Sequence, residues 1–460
     1  MTNTKKIIKI VGKTTIVISF IIFTLLIANY HEHWADEAQS FLIARDTSLA
    51  DLLGYMKYEG TPPLWVLLIK LFIFLGGTYD TFFILPIIAS SLGLIIFEFK
   101  IKAPWYIKIL FPFTYFFLYQ YTIVARSYCL IFPVFMMLAV VYEKRFEKPF
   151  LYSIVLLFLM NISLHTLIIS GSLYLLFLIE TIKNKEFKKI KVIIACILIF
   201  LELLVATMCT LPEKDCAYAS NRCEGIQYII TECTVGSDEN NIIQIGVTIA
   251  FFIMIFYIML KKDIFDMFEF AILFIPVICI YLRVTCQDWH IGIIWISLFS
   301  YFIIKKFINE SHLISCFVIL VCCVQICWTS NAGIYDIFEN YSASEEVANF
   351  IKKYDYNEIK IHGLGYSVTA IQPYFESNIF DNKNSNKAFN FWKIPTDYTM
   401  TEEFFSDDVD MYVFSNFYIT EKEIAKYLDK SLYEEYVFNG YTFMKDGIHE
   451  PEGYIIWVKK

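Results

Sequence analysis

Charged residues are scarce in this chain, and the patterns of a soluble, secreted or β-barrel protein are missing. Only 18% of the 460 residues are charged, whereas 57% are hydrophobic, which is more apolar surface than a water-soluble core buries. The alternating ten-residue segments of a membrane β-barrel do not occur. No small-residue cleavage site follows the first apolar run, Thr14 to Tyr30, so we expect an uncleaved helix there.

Apolar runs of membrane length recur from Thr14 to Thr329. Because about 20 helical residues cross the hydrocarbon layer, the runs predict a membrane all-α domain over residues 1–330, a polytopic helical bundle of about 11–13 spans. The number of spans between residues 62 and 108 stays open, because the apparent number there differs by one crossing from what the sides of the neighbouring loops require. A short or re-entrant segment near Pro62 to Gly77 or Pro104 to Tyr121 would correct it.

Clusters of basic residues indicate which ends of the spans face the cytoplasm. They fall in alternate loops, at residues 144–148, 183–191, 261–262 and 305–306. The first outer loop, residues 31–61, and the C-terminal part of the chain then lie on the opposite face. With a composition rich in Lys and Ile, this pattern predicts a multi-pass protein of a bacterial cytoplasmic membrane.

Arginine is absent from the C-terminal part, residues 335–460, which holds 12 Lys against 22 Asp and Glu. This acidic balance argues against nucleic acid as a partner and against docking on anionic lipid. Ser342-x-x-Glu345 and Thr420-x-x-Glu423 match helix capping boxes. Strand-like runs occur at residues 358–361, 411–414, 436–443 and 454–458. We therefore expect an extracytoplasmic α/β domain.

The cysteines do not form a zinc-binding pattern. Nine of the twelve lie in or beside apolar runs, where Cys behaves as a small hydrophobic residue. Cys216, Cys223 and Cys233 share a polar loop, and their odd number leaves open one disulfide with a free thiol.

Two adjacent carboxylates, Asp36 and Glu37, follow the first apolar run within the stretch His31 to Gln39. They could simply begin a solvated helix, because the spacing of apolar residues from Trp34 to Gly60 predicts short amphipathic helices at the membrane surface. They could also act as an acid or base at the lipid–water boundary. His residues two positions apart do not share a helix face and no third ligand is evident, so we expect no metal site there.

Several motifs together resemble the bacterial integral-membrane glycosyltransferases of the GT-C fold, in particular the protein O-mannosyltransferases and the aminoarabinose transferases that modify lipid A. The motifs are Trp34-Ala-Asp-Glu-Ala-Gln39, Ile43-Ala-Arg-Asp46, Glu59-Gly-Thr-Pro-Pro-Leu-Trp65, the segment Tyr119 to Tyr128, and His290-x-Gly292. The resemblance covers residues 1–330 in layout. It implies a polyprenyl-phosphate sugar donor and a glycan, lipid or protein acceptor, and it leaves open a divalent cation near Asp36.

The resemblance also assigns catalytic roles. Asp36 is the expected base, because displacement at an anomeric carbon requires a group that takes the proton of the incoming hydroxyl. Glu37 is its positioning neighbour. Arg126, together with His290, is expected near the donor phosphate, since a guanidinium can bind two phosphate oxygens. Tyr128 is a candidate for substrate binding. The alternative for Arg126 is contact with lipid headgroups.

His165, His290 and Glu59 are also candidates for substrate binding. His165 and His290 lie near predicted outer helix ends, where a structural role is the alternative for each. Glu59 precedes Pro62 and Pro63, and it either contacts a metal ion or the acceptor, or caps a helix. A lipid-linked sugar transporter or flippase is the alternative to an enzyme; it would use the same acids for ion coupling, but the inverted repeat typical of such transporters is not found.

Overall fold

The chain is largely helical and ends in a small sheet. The computed structural model describes residues 3–217, 226–234, 236, 241–260, 264–282, 288–383, 387–394, 404–406, 408–415, 421–444, 447–450 and 452–460. The α-helices are α1 Asn3–Ala28, α2 Ala35–Asp46, α3 Leu49–Glu59, α4 Leu64–Phe74, α5 Ile84–Lys100, α6 Trp105–Leu110, α7 Ile131–Val141, α8 Pro149–Met160, α9 Leu164–Lys183, α10 Ile190–Thr210, α11 Ile226–Thr234, α12 Asn241–Leu260, α13 Ile264–Tyr281, α14 Asp288–Ile304, α15 Phe307–Glu310, α16 His312–Phe338, α17 Ser344–Ile351 and α18 Glu421–Ile424. A π-helix, Tyr115–Ile123, and a 3-10 helix, Tyr366–Tyr374, also contribute to the site described below.

Within the described residues, five helical segments are long and apolar enough to cross a membrane. They are Asn3–Ala28, Ser127–Lys144, Leu164–Lys183, Ile190–Thr210 and His312–Phe338. Shorter apolar helices lie at Leu64–Phe74, Pro149–Met160, Ile245–Tyr257 and Trp289–Ile304. In α1 and α10 only 22% of the most apolar stretch is buried, so these helices direct apolar side chains outward.

The basic loops meet at one end of the bundle. Lys306 Nζ lies 2.6 Å from Glu143 Oε1, and Arg145 Nη2 lies 2.6 Å from Glu180 Oε1. The first ion pair joins two loops that are far apart in the sequence, and the second joins the segment after α7 to the last turns of α9. Lys261 and Lys262 lie outside the described residues.

The segment from residue 61 to residue 79 starts and finishes at the opposite end. Thr61 lines a cavity together with Asp36, and the Tyr79 ring lies 5.0 Å from that of His33. Between them lies α4, which has 11 residues. Both ends of this segment therefore lie near the same group of residues, and the re-entrant segment near Pro62 to Gly77 stays a prediction.

Two helices are present between Trp34 and Gly60, as α2 and α3, but α2 is buried along most of its length and is not the amphipathic surface helix that the sequence predicts. Ser48 Oγ accepts a hydrogen bond from Asp51 N–H at 3.2 Å and so caps the start of α3. Gly60 ends this helix with a φ of +62°, a left-handed conformation that glycine adopts without steric cost.

The helix α14 packs closely against the π-helix. A Cβ atom at Gly292 would lie 2.2 Å from a ring carbon of Phe116 and 2.6 Å from the Tyr121 hydroxyl. A glycine is required at this contact, which explains why Gly292 accompanies His290 in the motif.

The C-terminal domain contains a mixed four-stranded sheet in the order β1-β2-β6-β3 and a separate β4-β5 hairpin. The strands are β1 Ile361–Leu364, β2 Met411–Ser415, β3 Tyr433–Phe438, β4 Thr442–Met444, β5 Gly447–Glu450 and β6 Tyr454–Lys459. Strands β1 and β2 are parallel, whereas β6 is antiparallel to both of its neighbours. The expected strands at 411–414 and 454–458 are found. The strand expected at 358–361 begins later, as β1, and the run expected at 436–443 divides into β3 and β4.

The capping box predicted at Ser342 is wrong. Helix α17 begins at Ser344 with Ala343 as its N-cap. The Ser342 hydroxyl instead donates to Glu452 Oε1 at 2.8 Å, because this serine lies at the contact between the helical part and the sheet. Thr420 lies outside the described residues, although α18 begins directly after it.

Candidate active site at the start of helix α2

Glu37 anchors the start of α2. Its side chain is fully buried and accepts backbone N–H groups from Trp34 at 3.2 Å and from Ala125 at 2.6 Å. It also pairs with His33 Nδ1 at 2.9 Å and His31 Nε2 at 3.3 Å. Burial alone would raise the pKa of Glu37, but the two imidazoles hold it well below its usual range. The carboxylate therefore joins α2 to the segment before Arg126.

His31, His33 and Glu37 form a compact cluster. One ligand atom from each residue lies within 4.8 Å of the other two. Residues 31–34 are not helical, so the expectation from helix spacing does not apply, and Glu37 is the third group that the sequence did not reveal. Asp336 Oδ2 lies 3.0 Å from His31 Nδ1, as in the carboxylate–histidine pairs that orient metal ligands. Two imidazoles and a carboxylate could hold a divalent ion such as Zn²⁺, yet hydrogen bonds among these groups already satisfy the cluster.

The carboxylate of Asp36 points the opposite way from that of Glu37. Its Oδ2 lies 2.8 Å from Arg126 Nη1, and its Oδ1 accepts a hydrogen bond from the Tyr366 hydroxyl at 2.9 Å. The side chains of Asp36 and Arg126 are each about one-fifth exposed. Successive helix residues point in different directions, so one carboxylate of the pair anchors α2 while the other faces a cavity.

That cavity, of about 90 Å³, collects four of the sequence-predicted site residues: Asp36, Glu59, Arg126 and Tyr128. The other lining residues are Gln39, Ser40, Ile43, Met56, Thr61, Pro62, Trp65, Val66, Ser127, Ile162, Tyr366 and Trp392. Carboxyl, amide, hydroxyl and guanidinium groups from separate parts of the sequence thus converge on one space.

Glu59 lies in the cavity wall as a second carboxyl group. Its Oε1 accepts a hydrogen bond from Gln39 Nε2 at 2.7 Å. Burial raises the pKa of Glu59 to about 8; the Gln39 hydrogen bond opposes this shift, and the nearby charge of Asp36 adds to it. Glu59 is therefore mostly protonated at neutral pH and can donate a hydrogen bond to a ligand.

Aromatic rings surround the guanidinium of Arg126. It lies 5.1 Å from the ring centre of Tyr128, 5.2 Å from that of Trp289 and 5.9 Å from that of Trp34. These cation–π contacts hold the side chain in the cavity wall. An arginine whose only role is to reach lipid headgroups does not need such an enclosure.

His165 and His290 lie beside the cavity wall rather than in the lining. Their rings are 5.1 Å apart, and the His290 ring is 5.9 Å from that of Tyr128. His165 also contacts Tyr281, with ring centres 4.6 Å apart. The two predicted histidines therefore contact each other, and His290 packs against Tyr128.

The C-terminal domain holds α2 at several points. Glu452 Oε2 accepts the Ala35 N–H at 3.2 Å and so caps the helix start. Burial raises the pKa of Glu452 to about 8. The Gln39 side chain pairs with the backbone of Asn390, accepting from its N–H at 2.8 Å and donating to its carbonyl at 2.7 Å. The position of Asp36 thus depends on the C-terminal domain as well as on the bundle.

Sequence reasoning missed the contributions of the C-terminal domain to the site. Tyr366 and Trp392 line the cavity, yet each is more than 300 residues from Asp36 and belongs to no motif that would single it out. Gln39 carried a signal, since it ends the motif that begins at Trp34. Cys223 lies outside the described residues, so a disulfide in its loop stays a prediction.

The relation of this site to known proteins was not found by comparison. No family model matches the chain, and no curated protein or solved structure matches it.

Proposed function

We propose that this protein is an integral-membrane glycosyltransferase of the GT-C type. It transfers a sugar from a polyprenyl-phosphate donor to an acceptor outside the cytoplasmic membrane. The observation that carries the proposal is the cavity in which Asp36 lies between Arg126 and Tyr366, with Glu59 in the same wall. A carboxylate beside a guanidinium is the pair of groups that sugar transfer from a phosphate ester requires.

The membrane arrangement follows from the two ends of the bundle. The end with the basic loops faces the cytoplasm, and the end with the cavity and the C-terminal domain faces outward. In the proposed arrangement α4 is a re-entrant segment, and eleven segments cross the membrane: α1, α5, 105–123, 127–144, α8, α9, α10, α12, α13, α14 and α16. Five of these segments are long and apolar enough to cross a membrane by themselves. An odd number of crossings puts the N-terminal lysines inside and the C-terminal domain outside.

In the proposed reaction, Asp36 takes the proton of an acceptor hydroxyl as its oxygen attacks the anomeric carbon of the donor sugar. The bond between that carbon and the phosphate oxygen breaks, and its electron pair remains on the lipid phosphate. Arg126 stabilises the negative charge that develops there. The guanidinium of Arg126 now contacts Asp36. Binding of the phosphate would draw Arg126 away, and the carboxylate of Asp36 would then be free to accept a proton.

The test is transfer by the purified protein. Radiolabelled polyprenyl-phosphate sugars are incubated with a panel of glycan, lipid and peptide acceptors, and labelled products are separated from the donor. We expect a labelled product from at least one acceptor and release of the lipid phosphate. A protein that moves the intact donor across proteoliposome membranes without breaking the sugar–phosphate bond would be a transporter, contrary to the proposal.

A further inference from the structure

The two oxygens of Asp36 contact groups from two different parts of the protein. Oδ2 lies 2.8 Å from Arg126, which belongs to the helical bundle. Oδ1 accepts a hydrogen bond of 2.9 Å from the hydroxyl of Tyr366, which belongs to the C-terminal domain. If the proposed function holds, the phosphate binds on the Arg126 side. The Tyr366 hydroxyl then occupies the position in which an acceptor hydroxyl would donate to the base.

Tyr366 belongs to an aromatic pair in the cavity wall. Its ring centre lies 4.9 Å from that of Trp392, with the two ring planes tilted by 43°, and both residues line the cavity. Aromatic rings present flat apolar faces, while the amide of Gln39 and the carboxyl of Glu59 offer hydrogen bonds from the same cavity. An apolar face next to polar groups is complementary to a pyranose ring, which has C–H groups on its faces and hydroxyls around its edge.

The backbone around Trp392 is fixed to the helices of the site. The two hydrogen bonds between Asn390 and Gln39 attach it to α2. The carbonyl of Trp392 accepts the Ala217 N–H at 2.9 Å, and the Phe391 ring lies 4.6 Å from that of Tyr58 in α3. The indole is therefore held against the cavity by neighbours on both sides, as a preformed binding surface requires.

We propose that Tyr366 and Trp392 form a subsite for a sugar ring of the acceptor, so that the acceptor is a glycan. This inference rests on the proposed function and specifies its substrate class. A glycan is favoured over a lipid because polar groups and aromatic rings make up most of the lining. It is favoured over the donor sugar because the pair adjoins the Asp36 oxygen that faces away from Arg126.

The experiment measures glycan binding by the full-length protein in detergent, without any donor. Isothermal titration calorimetry with chitohexaose, maltohexaose, cellohexaose and mannohexaose gives the dissociation constants. We expect the wild type to bind at least one of them. Trp392→Ala and Tyr366→Ala should each weaken that binding at least tenfold, whereas Trp392→Phe, which keeps a ring, should stay within threefold.

A matched control is Tyr427→Ala. Tyr427 stacks on Phe405 with ring centres 4.7 Å apart and is 45% exposed. The substitution therefore removes one ring of another aromatic pair in the same domain, away from the cavity. Its binding should equal that of the wild type. Thermal unfolding of each variant identifies any that do not fold, and Tyr366→Ala and Trp392→Ala serve as independent tests.

The outcomes separate this inference from the proposed function. If the wild type binds none of the hexasaccharides, or if folded alanine variants bind them as the wild type does, the subsite is wrong. Transfer to a peptide or lipid by a protein that binds no hexasaccharide would overturn the subsite and leave the transferase intact. Hexasaccharide binding that depends on Trp392, in a protein without transfer activity, would overturn the transferase alone. In an active enzyme, a rise of donor KM rather than acceptor KM in Trp392→Ala would also contradict the subsite.

Discussion

Asp36 and Arg126 form an ion pair, with 2.8 Å between Oδ2 and Nη1, in the wall of a cavity that both domains enclose. The residues are 90 positions apart in the sequence, yet Glu37 brings them together. It adjoins Asp36, and its carboxylate accepts the N–H of Ala125, which adjoins Arg126. One buried carboxylate thus sets the spacing between the proposed base and the proposed phosphate ligand.

The geometry of the Arg126 guanidinium should matter more than its charge. Arg126→Lys keeps the charge but loses the two-pronged contact that we propose with the donor phosphate. We therefore expect transition-state stabilisation to fall by about 1–3 kcal/mol, as for a charged hydrogen bond. Arg126→Ala should be worse, and both should affect donor kinetics more than acceptor kinetics. Steady-state rates at varied donor concentration measure this. Wild-type rates for Arg126→Lys would indicate an arginine that contacts only headgroups.

Glu37→Gln should destabilise the protein. The amide cannot accept all four hydrogen bonds that the carboxylate now accepts, and His31 keeps only Asp336 as an acidic partner. Removing one member of a buried ion pair costs about 3–5 kcal/mol. We expect a clear fall of the Tm in detergent, and no change for Glu346→Gln, which alters an exposed carboxylate. Equal Tm values for wild type and Glu37→Gln would show that the carboxylate does not anchor α2.

Stability should decrease as the pH rises through the neutral range. Glu59 and Glu452 have their pKa raised from 4.5 to about 8, first of all by burial. From about pH 4.5 to about pH 8, the folded protein therefore holds protons that the unfolded chain has released, and the free energy of unfolding falls. The Tm of the wild type should drop over this range more than that of the Glu59→Gln, Glu452→Gln double variant. A parallel decline in both proteins would exclude these two groups as the cause.

The orientation in the membrane can be tested with single cysteines in a Cys-free background. A cysteine that replaces Ser431, which is exposed in the C-terminal domain, should react with an impermeant thiol reagent added to intact cells. A cysteine that replaces Asn184, which is exposed at the end of α9, should not. Lysed cells should label at both positions, which controls for reactivity. Labelling of Asn184 but not of Ser431 in intact cells would invert the arrangement.

The sequence predicts the local parts of this structure well. The helices after Trp34, the membrane-length runs and most strands follow from periodicity, and the cavity collects Asp36, Glu59, Arg126 and Tyr128. What could not be predicted depends on contacts between distant segments. The carboxylate of Glu37 completes a cluster with two histidines because residues 31–34 are not helical. Tyr366 reaches Asp36 across 330 positions, and no pattern of neighbouring residues encodes such a contact.

The proposed reaction depends most on Asp36 as the base. Its direct test is the rate of sugar transfer by Asp36→Asn, which preserves the shape of the side chain but cannot accept the proton. We expect kcat to fall by a factor on the order of 100 to 10,000, the range for loss of a general base, while donor binding and Tm remain near wild type. Asp51→Asn, which changes an exposed acid of α3, should transfer normally. Near-normal turnover by Asp36→Asn would contradict the account.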